Sequence, residues 1–150
     1  MNLSITIRGL DQVHAKYGKG ADSIIKALTR AVAEDIRARI AKYPGSVKYP
    51  IQWASAKQRR AYFAKRKGNL PYVRQSDTWS ERLGSSWATE HRGLDAVIGT
   101  KVSYAPWVQS AKKQQPMHAN TGWVTDEQAI QATEDAHVPE KVLKEVLSAW

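Results

Sequence analysis

The chain has 150 residues, 42% of them hydrophobic and 25% charged, a balance that fits one soluble globular domain over residues 1–150 and excludes wholesale disorder. It has no cysteine, so disulfides, thiolate metal sites and cysteine nucleophiles are excluded together. The net charge of +9 is uneven: residues 1–125 hold 21 Lys/Arg against 8 Asp/Glu, whereas residues 126–150 hold 2 against 6.

Leu3-Ser4-Ile5-Thr6-Ile7-Arg8 alternates apolar and polar side chains, the pattern of a strand with one buried face, and Gly9 closes it. Asp11 opens a short helix through Tyr17, broken by Gly18 and Gly20. From Ala21 to about Lys42, Ile25, Leu28, Val32, Ile36 and Ile40 recur at three- and four-residue steps, which predicts a long amphipathic helix ending near Pro44-Gly45. One apolar stripe on a helix of roughly 33 Å needs a cover of comparable length, and a small sheet is the natural one.

Residues 43–53 show no period and are expected to form a loop able to move. Ser55 then caps a second helix, Ala56 to about Lys67, which carries Lys57, Arg59, Arg60, Lys65, Arg66 and Lys67 and no acid, with Ala61, Tyr62 and Phe63 as a short apolar patch. Tyr72-Val73-Arg74 and Ser85 to Thr89 are expected to be extended. Ala96-Val97-Ile98-Gly99 pairs back as an antiparallel hairpin across His91-Arg92-Gly93-Leu94. Tyr104 to Gln109 is read as a further short strand or sheet edge, because Pro106 cannot donate to a central ladder. Residues 110–123 form a polar loop. Thr125 with Gln128 is a capping box opening a helix to about Ala136. Pro139 starts a last helix with Val142, Leu143, Val146, Leu147 and Trp150 on one face. The fold class is therefore α+β: a long N-terminal amphipathic helix packed on a small antiparallel sheet, with shorter basic and C-terminal helices.

No catalytic constellation emerges. His14, His91, His118 and His137 lie far apart without metal-ligand spacing, and Gly18-Lys19-Gly20 lacks the form of a phosphate loop. Ser85-Ser86 and His91 fall on one hairpin without the strained elbow that acyl transfer needs. No run approaches the roughly 18 apolar residues of a membrane helix, and the first residues lack the layout of a signal peptide, so a protein of the cytosol, or of a particle assembled there, is expected. No enzyme, cofactor, metal or membrane role is expected.

Charge and aromatics point instead to binding. A basic body with an acidic tail suits nucleic acid, and it equally suits head-to-tail contact between subunits. The run Lys57 to Lys67 combines phosphate-binding charge with Tyr62 and Phe63 for stacking, yet no reader motif accompanies it. Six tryptophans are more than one small core holds; Trp87 is expected inside, and Trp53 and Trp107 are candidate contact residues.

In chain order these features resemble the tail-completion and head-to-tail joining proteins of tailed bacteriophages. The resemblance runs through Ser4-Ile5-Thr6-Ile7-Arg8-Gly9-Leu10-Asp11, the long helix, Lys57 to Ala64, Pro71-Tyr72-Val73-Arg74 and Leu83-Gly84-Ser85-Ser86-Trp87. It continues in Tyr104-Ala105-Pro106-Trp107-Val108-Gln109, Gln115, His118 and Gly122-Trp123. Where the family commonly continues with Thr-Gly after the arginine, Gln75-Ser76 stands here, and Asp77 to Arg82 is additional sequence. The resemblance implies a structural virion protein: a ring at the neck or upper tail that contacts itself, tail-tube or terminator proteins and the head connector, with transient contact to DNA. The candidate contact residues are Trp53, Tyr72, Arg74, Trp79, Tyr104, Trp107, Gln109, His118 and Trp123. The alternative is a basic nucleic-acid-binding accessory protein using the 57–67 helix.

Overall fold

A computed structural model describes residues 1–5, 10–44, 53–65 and 83–149. The elements are β1 (Asn2–Ile5), α1 (Leu10–Tyr17), α2 (Ala21–Ala41), α3 (Ala56–Lys65), β2 (Ala88–Arg92), β3 (Asp95–Gly99), α4 (Ala105–Gln109), α5 (Pro116–Asn120), α6 (Asp126–Asp135) and α7 (Val138–Ser148). Single 3-10 turns occupy Gly18–Gly20 and Gly84–Ser86. The expected strand residues Thr6, Ile7 and Arg8, most of the 43–53 loop, Tyr72-Val73-Arg74, the additional stretch at 75–82 and Trp150 lie outside the described residues.

The sheet is antiparallel with order β1-β3-β2. Leu3 stands opposite Ile98 and Ile5 opposite Ala96, while Thr89 stands opposite Ile98 on the other side, so one face gathers Leu3, Ile5, Ala96 and Ile98. That face meets α2. Ala33, Ile36 and Ile40 join Trp87, Ala96, Ile98 and, from α6, Ala129 in the main core. The β2–β3 loop has two residues, and Gly93 at its first position takes φ +62°, the conformation such a tight hairpin requires there.

The buried face of α2 is rotated from the expected stripe. Ile25, Ile36 and Ile40 are inside, but Ala21, Ile24, Thr29 and Ala33 accompany them, and Leu28 and Val32 are half-buried on the flank. The reason is close approach. Small side chains at 29 and 33 let the hairpin lie near the helix, and Thr29 Oγ1 donates to Leu94 O at 2.9 Å in the hairpin loop. A hydroxyl here satisfies a carbonyl that a leucine would leave unpaired.

Three further expectations are corrected. Tyr104 to Gln109 is helical: Pro106 falls in the first turn of α4, where a missing N–H costs nothing and the fixed φ is already helical. Ser85 and Ser86 belong to a 3-10 turn ahead of β2, whose strand starts only at Ala88. The loop at 110–123 contains a helical turn, α5, again begun by a proline. The capping box of α6 forms as expected, with Gln128 N donating to Thr125 Oγ1 at 3.2 Å and Thr125 N to Gln128 Oε1 at 3.0 Å.

A second, smaller core of Leu83, Val102, Ala105 and Val108 lies beside the first, and Met1 packs against both. Gln109 ties them together. Its side chain is 0% exposed; Oε1 accepts from Trp87 Nε1 at 3.0 Å, and Nε2 donates to Ile40 O in the last turn of α2. The carbonyls of a last helical turn have no partner within the helix, so Gln109 supplies one. Gly84 fits equally tightly: a side chain there would collide with the Tyr43 ring and the Ala41 carbonyl, and Gly84 N donates to Tyr43 Oη at 3.0 Å.

Gln109→Leu keeps the volume and removes both bonds, so it is expected to cost about 2–4 kcal/mol, read as a fall in the urea midpoint with an unchanged slope. Asp35 on α2 joins α6: Thr133 Oγ1 donates to its Oδ2 at 2.7 Å, and Arg39 Nε bonds the same oxygen. Burial raises the Asp35 pKa, but the Arg39 and Thr133 hydrogen bonds outweigh it and hold the carboxyl below its ordinary value. A depressed folded pKa contributes stability that is present above about pH 4 and lost as the pH falls through the folded value. Denaturant midpoints measured from neutral pH down to about pH 2 should therefore fall less steeply for Asp35→Asn than for the wild type.

Candidate protein-contact surface

Five of the residues expected to make contacts, Tyr104, Trp107, Gln109, His118 and Trp123, are gathered by α4, α5 and the segment after α5. Side chains two apart on a helix point about 200° apart. Gln109 faces inward, so Trp107 faces out. It is 50% exposed, the one large apolar side chain so exposed among the described residues. Gln109 itself is corrected: full burial between Trp87 and Ile40 makes it a structural amide, not a contact residue.

Trp107 stands on a fixed frame. Gln115 N donates to Trp107 O at 2.9 Å, and Gln114 N to Ser110 O at 2.7 Å. The Gln114 side chain donates to Val108 O at 2.8 Å and to Trp123 O at 2.9 Å, which clamps both ends of the loop. Ala111 N donates to Asp126 Oδ1 at 2.8 Å, fastening the loop to the first turn of α6. Lys112 and Lys113 are exposed, and Lys113 Nζ lies 6.0 Å from the centre of the Trp107 ring.

Trp123 and His118 support this frame more than they extend it. Trp123 is half-buried with its ring edge-on to Tyr43, centroids 5.2 Å apart, and its N donates to His118 O at 3.2 Å. His118 and Tyr104 are half-buried. Gln114, Asp126 and Tyr43 carried no signal in the sequence, because a glutamine in a polar loop and an aspartate in a helix's first turn are ordinary residues there. Their roles come from partners 6 to 80 positions away.

The basic helix α3 comes earlier in the sequence, before β2. Ser55 Oγ accepts from Gln58 N at 3.1 Å and Gln58 Oε1 accepts from Ala54 N at 3.0 Å, a capped start to α3. Lys57, Arg59 and Arg60 are exposed, and Trp53 just before the helix is half-buried. The side chain of Lys65 and the residues Arg66, Lys67, Tyr72, Arg74 and Trp79 lie outside the described part, as do the side chains of Tyr62 and Phe63 in the expected apolar patch.

The outer face of the sheet bears an open groove of about 670 Å³ lined by Ala88, Glu90, Val97 and Gly99 among others. Its charged pair is self-satisfied: Arg92 donates to Glu90 at 2.8 Å and holds that carboxyl below its ordinary pKa. The Ser86 hydroxyl is engaged by Leu83 O at 2.7 Å and Thr100 Oγ1 at 2.6 Å. Among the described residues no three His, Asp or Glu side chains stand together as metal ligands, and no helix is long and apolar enough to cross a membrane.

Comparison with protein-family models, curated proteins and solved structures returns no match.

If the Gln114 side chain clamps the loop, Gln114→Ala should speed amide hydrogen exchange at Ala111, Gln114 and Gln115 by about tenfold, one to two lost hydrogen bonds' worth, while exchange in α2 stays unchanged.

Proposed function

We propose that this chain is a structural subunit of a tailed-phage virion that associates with copies of itself as a ring at the neck or top of the tail and joins the tail to the head connector. The observation that carries this reading is Trp107: an exposed indole costs solubility unless it is covered, and here it sits on the short helix α4, which Gln114 of the following loop bonds at Val108 O, rather than on a flexible tip. A rigid aromatic anchor loses little freedom when a partner covers it, which is what interface hot spots require. The segment-by-segment resemblance supports the phage assignment. The order it implies, strand, long helix and Leu83-to-Trp87 turn leading into a hairpin, is also the order of the fold.

A second reading has its own support. The helix α3 presents Lys57, Arg59 and Arg60 to solvent with no acid along its length, a surface suited to phosphate contact. This favours a nucleic-acid-binding accessory role, and a neck subunit lining a DNA passage would share the feature.

Light scattering after size separation, across concentration and with tail-tube protein added, tests the first reading. Discrete oligomers or a stoichiometric complex are expected for the wild type, and Trp107→Ala should weaken them by at least about tenfold while leaving the melting temperature within a few degrees. A monomer that ignores tail protein and binds DNA tightly, with binding lost in Lys57→Ala/Arg59→Ala/Arg60→Ala, would replace it with the second.

A further inference from the structure

Resting on the self-association proposed above, we infer that neighbouring copies of this chain join their sheets, the open edge of β2 in one copy pairing in parallel with the open edge of β1 in the next. The strand register fixes which backbone groups are free to do this. Met1 and Thr100 exchange both of their backbone bonds at 3.0 Å, so along β1 the residues that bond β3 are Leu3 and Ile5, and the N–H and C=O of Asn2 and Ser4 point away from the sheet. The two-residue hairpin loop makes Arg92 and Asp95 a bonded pair. Glu90 and Ala88 therefore bond β3 as well, and the N–H and C=O of Thr89 and His91 point to the other open edge. Among the described residues none bonds these outward backbone groups, and Asn2, Ser4 and His91 are exposed.

The two edges match each other. β1 and β2 each run antiparallel to β3, so they point the same way, and a rotation about an axis along the strands brings β1 of the next copy parallel to β2. In a parallel pair each residue bonds the two neighbours of the residue opposite it, so the bonding residues of the two strands must come from opposite faces. Thr89 and His91 share the α2 side of the sheet with Leu3 and Ile5, whereas Asn2 and Ser4 lie on the outer side, so the requirement is met. His91 then stands opposite Leu3 of the neighbouring copy. Its N–H donates to the neighbour's Asn2 O, and its C=O accepts from the neighbour's Ser4 N.

A second copy is the occupant that two open edges on one sheet select. An exposed edge is a template for another strand, and both edges are covered when each copy gives one and receives the other, an arrangement that closes into a ring when the rotation between neighbours divides a full turn. A two-fold contact of β2 with β2 would leave every β1 edge open. Charge agrees with the pairing. Asn2 and Ser4 are neutral, and the Glu90 and Arg92 that would face them already pair with each other at 2.8 Å, so no like charges meet.

Proline at an outward position tests this, since it removes the N–H offered to the neighbour and leaves the ladder to β3 intact. His91→Pro and Ser4→Pro should each weaken self-association at least about tenfold, with circular dichroism confirming the fold of each. Mixed together they should form a one-to-one dimer that grows no further, because one variant keeps a working β1 and the other a working β2. Hydrogen exchange needs no variant: in wild-type oligomers the amides of Ser4 and His91 should exchange at least about tenfold more slowly than in the dilute monomer. Equal exchange in the two states, folded proline variants that assemble like the wild type, a Ser4→Pro protein that dimerises by itself, or a mixture that stays monomeric overturns the pairing while the proposed function stands. A wild type that never self-associates, alone or with tail-tube protein, overturns both.

Discussion

The amide of Gln109 is the interaction on which the arrangement of this fold depends. Its oxygen accepts the indole N–H of Trp87 in the main core and its nitrogen donates to the buried Ile40 carbonyl in the last turn of α2, while its own helix belongs to the smaller core. Three elements far apart in sequence are thereby set in one geometry. In a dry site each of these groups loses water on folding, so each must be paired or cost stability. The same constraint orients the surface. With Gln109 turned inward and α4 only five residues long, Trp107 has nowhere to go but out, and the exposed indole follows from the buried amide.

The parts of the fold that were legible in the sequence are those in which neighbouring residues decide the outcome. The long helix, the Gly93 hairpin, the Thr125–Gln128 box and the proline-started α7 all rest on spacings of four residues or fewer, and each is present. The segment Tyr104 to Gln109 was misread because Pro106 satisfies two rules, excluded from a central strand and welcome in a helix's first turn. Only packing chooses between them: burial of Ala105 and Val108 against Leu83 and Val102 needs the helical spacing. The rotation of the α2 stripe was hidden for a similar reason. Thr29 and Ala33 look like flank residues until the hairpin carbonyl of Leu94 arrives beside them.

Of the candidate contact surface, the exposed tryptophan was legible and its frame was not. Aromatic richness marked 104–109 and 123 as unusual, but could not separate Trp107 from Trp123, or either from Gln109. Those three differ only in what packs above them: solvent, Tyr43, and Trp87 with Ile40.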